Sequence, residues 1–317
     1  MDLRQLRYFT LVADLKSLAQ ASAHLGIAAP ALSRSIGALE GELKCPLFER
    51  DGRGMRLTAA GEILHGKAVQ ILRDIELARQ DVMAEGEHLA GDVGIGATPS
   101  VIGLLGADFI KQSLDRFPKV RPRPAEGYSG YLQNWVLTGV VDFALINGQP
   151  PSHIRLHCER LAVERLFAIE RPASATGSDD AVALDDLLDA PLLLPSAQNP
   201  IRGLIDEAAE RLGRTVSTTL EIDSAGLLKT LAADGLAAAV LPFAAVQQEV
   251  ASGKLSARPI VEPEITSDLT LIHLKDRPPS KVAAELIGLI LDILEDVVSG
   301  DGRHGFVEVC RPERYRR

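Results

Sequence analysis

The chain lacks most of the features that would declare an export route or a catalyst. Its three cysteines, Cys45, Cys158 and Cys310, are an odd and scattered set. They offer no disulfide framework and read as reduced thiols in a cytosolic protein. There is no signal-peptide pattern and no apolar run long enough to span a bilayer, so a cytoplasmic protein without a membrane partner is expected. No Gly-x-Ser-x-Gly elbow marks a hydrolase. Gly94 and Gly96 keep the first spacing of a dinucleotide fingerprint, but Pro99 stands where it needs its third glycine. His153, His157 and Cys158 have metal-like spacing without a fourth ligand in view. No catalytic residues, metal or cofactor are therefore expected. An excess of positive charge is missing too: the net charge is −9, which argues against indiscriminate nucleic-acid binding.

What is present begins between Ser17 and Leu43. Ala19, Ala23 and Leu25 share one side of a short helix pattern. Gly26 supplies the left-handed turn, and Leu32, Ile36 and Leu39 share one side of a second helix. The small residues Ala21 and Ala23 permit close crossing. Pro30 sits in the first turn of the second helix, where proline is tolerated. Ser33 and Arg34 project from that helix's N-terminal part, away from its apolar side, as a major-groove reader requires. An ordinary helical hairpin would show the same pattern, so the flanks decide. Upstream, Leu3, Leu6, Phe9, Val12 and Ala13 recur at helical spacing and supply a third helix. Downstream, Leu47-Phe48 and Met55–Leu57 are short strands around the turn signals Asp51-Gly52 and Arg53-Gly54, with Arg50, Arg53 and Arg56 along them. That is a winged helix whose wing lays arginines on a sugar-phosphate backbone.

Residues 1–60 resemble the DNA-binding domain of LysR-type transcriptional regulators. The resemblance rests on the opening MDLRQLRYF, then PALSRSIGALEGEL, PLFER, GRG and LTAAG. It implies an N-terminal winged helix-turn-helix, a long linker helix, and a two-lobed α/β effector domain like a periplasmic binding protein. It further implies a homodimer or homotetramer that binds double-stranded promoter DNA, recruits RNA polymerase and responds to a small effector. One departure stands out: Ala28 and Ala29 occupy positions where the family often has a polar pair such as Ser-Gln. Alanine offers a base only a methyl contact. Readout is therefore expected to lean on Pro30, Ser33, Arg34, the wing residues Arg50 and Arg53, and DNA shape. Charge fits this division. Residues 1–60 carry +2 and the remainder −11, so the modest basic footprint is local and gains from being doubled in a dimer.

From Thr58, a candidate helix cap, to residue 88, the positions Leu64, Ala68, Ile71, Ile75, Ala78 and Val82 keep a heptad repeat. Residues 58–90 are read as the linker helix that pairs with a second copy. An amphipathic helix packed on its own domain is the alternative. Residues 91–298 then alternate strand and helix, which predicts a parallel sheet covered on both faces. The strands are expected at 93–97, 120–126 (an edge strand, from Pro122 and Pro124), 141–146, 191–194, 216–222, 237–241 and 268–274. By the resemblance, lobe I comprises 91–162 and 267–298 and lobe II 163–266. The chain crosses between them near residues 162 and 266. The segment 299–317 reads as a solvated, disordered tail.

Ligands of such folds lie at strand ends and helix starts. Thr98-Pro99-Ser100 opens one helix, Ser129 the next in the same lobe, and Ser196 with Arg202 follows a strand of the second lobe. Together they would make a cradle for a small carboxylate-like anion; the same residues also read as plain helix caps. The run LLLPSAQNPIR with 221–224 and 239–242 looks most like Nac-type nitrogen regulators, which would allow a regulator without a small-molecule coinducer. The reading of a different class is a cytosolic small-molecule-binding protein or enzyme on two α/β lobes. An enzyme needs a nucleophile or base set that the sequence does not present.

Overall fold

The computed structural model describes residues 1–51, 54–84, 89–148, 151–172, 181–299 and 305–315. The chain divides into two compact units, one formed mainly by residues 1–83 and the other mainly by the remainder.

The first unit begins with α1 (Leu3–Leu15), α2 (Leu18–Leu25) and α3 (Ala29–Leu43). Asp2 and Gln5 form a reciprocal capping box at α1, with bonds of 2.7 and 2.9 Å. Ser17 caps α2, and Gly26 ends it at φ 64°. Leu6, Phe9, Val12, Ala21, Leu32, Ile36 and Leu39 are buried together as a tri-helical core. The strands β1 (Phe48–Asp51) and β2 (Gly54–Leu57) pair antiparallel as a wing. Two ties fix that wing to the helices. Glu40 of α3 accepts the backbone N–H groups of Leu47 and Phe48 at 2.8 and 3.2 Å. Met55 N–H donates to the Lys16 carbonyl at 3.0 Å.

Next comes α4 (Ala59–Ala84), capped by Thr58, whose hydroxyl accepts from Gly61 N–H at 3.0 Å. The helix starts against the wing so closely that a Cβ on Gly61 would stand 2.1 Å from the Leu47 carbonyl oxygen and 2.9 Å from Leu57 Cδ2. Backbone cannot yield as a side chain end does. G61A is therefore expected to destabilise this unit by about 2–3 kcal/mol, read as a lowered urea midpoint. A parent-like midpoint would contradict the close packing.

The second unit contains β3 (Gly91–Ala97), α5 (Pro99–Arg116), β4 (Val120–Glu126), α6 (Ser129–Thr138), β5 (Phe143–Asn147) and the long β6 (Leu156–Glu170). Then follow β7 (Val182–Ala183), α7 (Leu184–Leu188), β8 (Leu192–Leu194), α8 (Pro200–Arg211), β9 (Leu220–Glu221), α9 (Ala225–Ala233) and β10 (Ala238–Pro242). The unit closes with α10 (Gln247–Ala251), β11 (Ser256–Val261), β12 (Thr266–Leu274), α11 (Lys281–Val298) and β13 (Phe306–Val309).

The strand order β4-β3-β5-β12-β6-β10-β8-β9 runs through two lobes. Up to Arg165, β6 pairs with β12; from Leu166 onward it pairs with β10. It thereby carries the chain out of lobe I, and residues 262–265 carry it back from β11 to β12. The expected parallel sheet is corrected to a mixed one. β3 is parallel to β4 and β5, and β8 to β9 and β10. The two crossing strands run antiparallel to each other and to their neighbours, because the chain leaves along one and returns along the other. The strand expected over 216–222 shrinks to Leu220–Glu221, since only that stretch finds a partner, in β8.

Helices cover both faces of each lobe. α5 and α11 bury Val101, Leu105, Phe109, Leu286, Ile290 and Leu294 on one face of lobe I. α6 buries Leu132 and Val136 on the other. In lobe II, α8 buries Ile205 and Ala209 on one face and α9 buries Leu228 and Ala232 on the other.

The reading of 299–317 as a disordered tail is corrected for residues 305–315. β13 pairs with β6 at Ala162, Val163 and Glu164, and Cys310 N–H donates to the Leu161 carbonyl at 2.7 Å. Phe306 and Tyr315 join the lobe I core. Arg311 binds Asp292 and Glu295 of α11 at 2.7 and 2.8 Å. Two buried aromatic rings and a paired arginine offset the chain entropy that would otherwise leave such a segment loose.

Candidate functional site

Two regions gather the residues singled out above. The first is the outer face of α3. Burying Leu32, Ile36 and Leu39 turns Pro30, Ser33 and Arg34 outward, and all three are exposed. Ala28 is the N-cap residue and provides no side-chain acceptor, and Pro30 brings no N–H. No side chain caps this start, and the Ala31 and Leu32 N–H groups are taken by the Ala28 carbonyl at 2.9 and 3.2 Å. Arg56 on β2 is exposed, with only a 3.8 Å approach to Glu49, a pairing that solvent weakens. Arg53 and the Arg50 side chain lie outside the described residues.

The second region is the cleft between the lobes. Thr98, Pro99, Ser100, Tyr128, Ser129 and Asn147 line it from lobe I. Pro195, Asn199, Asp223, Ser224, Ala225 and Leu228 are among those lining it from lobe II. Three lobe I hydroxyls converge on one residue that the sequence reading missed. Thr98 and Ser100 donate to Asn147 Oδ1, the latter at 3.1 Å, and Ser129 donates to the Asn147 carbonyl oxygen at 3.1 Å. Asn147 Nδ2 in turn donates to Glu164 Oε1. Glu164 is buried on β6. Loss of solvation pushes its carboxyl up to about 8, against the opposing pull of the Asn147 hydrogen bond. The polar floor of the cleft is thus tied to the strand that joins the lobes.

Ser196 and Arg202 are not brought to this cavity. Ser196 N–H donates to Asp223 Oδ1 at 3.0 Å. The Arg202 guanidinium, 11% exposed, is held by Asp206 at 2.8 Å and Glu221 at 3.1 Å. It fastens α8 to β9, and that is why the cradle expected for an anion lacks its cation. Among the described residues no lysine or arginine lines the cavity, and Asp223 is its only acidic side chain. A wider apolar hollow, about 290 Å³, lies between α5, β3 and β4, with too few polar groups to orient a guest. His157 and Cys158 lie on β6, and no cluster of metal-ligating residues occurs among the described residues.

One signal for Asn147 was available. It is the polar residue that closes the buried run Phe143–Ile146 at a strand's C-terminal end, where α/β folds place ligands. Glu164 carried none, because Glu159 and Glu170 repeat nearby and look like the same solvated pattern.

Comparison with known proteins places both regions in one frame. Residues 3–62 match the model of the bacterial regulatory helix-turn-helix protein of the lysR family, and residues 86–295 match the LysR substrate binding domain. The chain is 32% identical over 276 residues to the HTH-type transcriptional regulator BbuR of Bordetella bronchiseptica, covering 87% of this chain and 85% of that protein. It is 33% identical over 248 residues to the nitrogen assimilation regulatory protein nac of Escherichia coli, covering 78% and 80%. In structure it resembles full-length OxyR of Pseudomonas aeruginosa with a TM-score of 0.73 at 22% identity, covering 98% and 99%. It also resembles full-length CbnR complexed with its target DNA, with a TM-score of 0.67 at 20% identity, covering 93% and 99%.

Proposed function

The chain belongs to the LysR family of DNA-binding transcriptional regulators with an effector-binding domain, and on that basis we propose which of its surfaces do the work. α3 enters the major groove and presents Pro30, Ser33 and Arg34 to base edges and phosphates. The wing, with Arg50, Arg53 and Arg56, tracks the adjacent backbone. Two copies pair through α4, as a dimer or within a tetramer, and so read two half-sites. A small molecule in the interlobe cleft shifts the lobes, and with them the DNA-binding units and the contact to RNA polymerase. The protein acts in the cytoplasm and catalyses nothing.

The observation that carries this reading is the outward face of α3: an uncapped helix start with an exposed serine and arginine beside it. R34A removes one charged contact and one positive charge per copy. Affinity for operator DNA is expected to fall about ten- to a hundredfold, with a shallower salt dependence. A gel-shift titration at two salt concentrations measures both. Parent-like binding by R34A would remove α3 from the interface.

A further inference from the structure

The space left in the cleft is small. Its cavity is about 60 Å³, against the roughly 300 Å³ at which pockets for ordinary small molecules begin. Its own residues close it. Gly148 at the end of β5 meets Pro200 at the start of α8 so tightly that a Cβ on Gly148 would lie 2.3 Å from the Pro200 Cβ. A hydrogen bond also crosses from lobe to lobe. Tyr128, on the loop between β4 and α6, accepts the Ala225 N–H of α9 on its hydroxyl oxygen at 3.2 Å.

That bond occupies the place where a ligand would act. The first N–H groups of a helix have no partner within it. At α9, Ser224 takes the Leu227 N–H at 3.3 Å and the Ser224 carbonyl takes that of Leu228 at 2.9 Å. Ala225 N–H is left for an outside acceptor, and the phenol of the opposite lobe provides it. Asn199, which also lines the cavity, caps α8 through Ile201 N–H at 3.0 Å. Local charge decides what else would fit. Asp223, two residues before Ala225, is the only acidic side chain among the described residues lining the cavity, and no cationic one lines it. An anion at Ala225 would meet the Asp223 carboxylate, while the nearby Arg202, which reaches the Pro195 carbonyl at 3.4 Å, is already paired with Asp206 and Glu221; a neutral oxygen would repeat what Tyr128 already does.

We infer that Tyr128 is a built-in occupant of the effector cleft that latches the two lobes together, and that the effector is an uncharged molecule whose hydroxyl or carbonyl oxygen takes the Ala225 N–H in its place. This deepens the proposed function and rests on its assignment of the cleft to the effector. It replaces the carboxylate suggested by the sequence with a neutral acceptor.

The test is hydrogen exchange at the Ala225 amide in the full-length protein, followed by NMR. Y128F deletes one oxygen and keeps the ring, and exchange at Ala225 is expected to rise about tenfold, the worth of one such bond. Y131F, altering an exposed neighbour on α6, is expected to change nothing. In Y128A, phenol, which is the part of the side chain beyond Cβ that the variant removes, is expected to restore slow exchange, and benzoate is not. Parent-like exchange in Y128F overturns the latch, whatever Y128A does. Fast exchange in Y128F with equal protection of folded Y128A by benzoate, or with none from phenol, overturns the ligand class. The readout needs neither DNA nor the native effector, so failure of the latch is separate from failure of the regulator reading, which the R34A titration judges.

Discussion

Replacing Glu164 by glutamine is expected to abolish a fall in stability that the parent shows as pH rises. The carboxyl is buried, and desolvation lifts it to about 8 from an ordinary 4.5. Below the unfolded value both states hold the proton and no difference arises. Between 4.5 and 8 the unfolded chain releases its proton and the folded chain retains it. The folded state then binds more protons, so parent stability declines across that window and levels off above it. At about 1.4 kcal/mol per unit, the full window corresponds to a loss on the order of several kcal/mol. The amide introduced by E164Q would not titrate, and its carbonyl could still accept from Asn147 Nδ2. Urea denaturation of parent and E164Q at pH values of about 5 and about 9, on either side of that window, measures the difference, which should widen by several kcal/mol at the higher pH. Parallel curves would show that Glu164 is ionised in the folded protein already.

The same residue shows where sequence reading stops. The DNA-binding unit was legible because its signals are local. Gly26 must adopt a positive φ, Pro30 must stand in a first turn, and Leu32, Ile36 and Leu39 keep one helical face. β6 was illegible as a single strand because it serves two sheets. Residues 156–165 pair with β12 and residues 166–170 with β10 and β11. Its inward positions therefore do not alternate simply, and its burial pattern interleaves Glu159, Arg160 and Glu164 with apolar residues. Arg202 misled for another reason. Its spacing after β8 suggested a ligand, but Asp206 one turn along α8 and Glu221 on β9 claim the guanidinium first. The segment after α11 reads as polar and charged, and only three-dimensional placement reveals that Phe306 and Tyr315 have a core to enter.

The largest effect on DNA binding is expected from a change that touches no DNA-reading residue. On α4 the heptad positions split into two groups. Ala68 is buried and Leu64 half-buried against the unit's own core, so the early turns are satisfied within one copy. Further along, Ile71 is 37% exposed and Val82 is 75% exposed. An apolar seam left open over these later turns is what a second α4 would cover. Introducing I71D together with V82D places two carboxylates in that seam and leaves Leu64 and Ala68 in place, so the fold of each copy should survive, as far-ultraviolet circular dichroism would register. The pair would separate, because like charges facing each other in a dry seam are both repelled and desolvated. Sedimentation at micromolar concentration should then show a smaller assembly. Operator affinity should fall by about two to four orders of magnitude, as two linked half-site contacts become one, and the salt slope should roughly halve. A double variant that sediments like the parent and binds its operator as tightly would mean that α4 is not the element through which two copies meet.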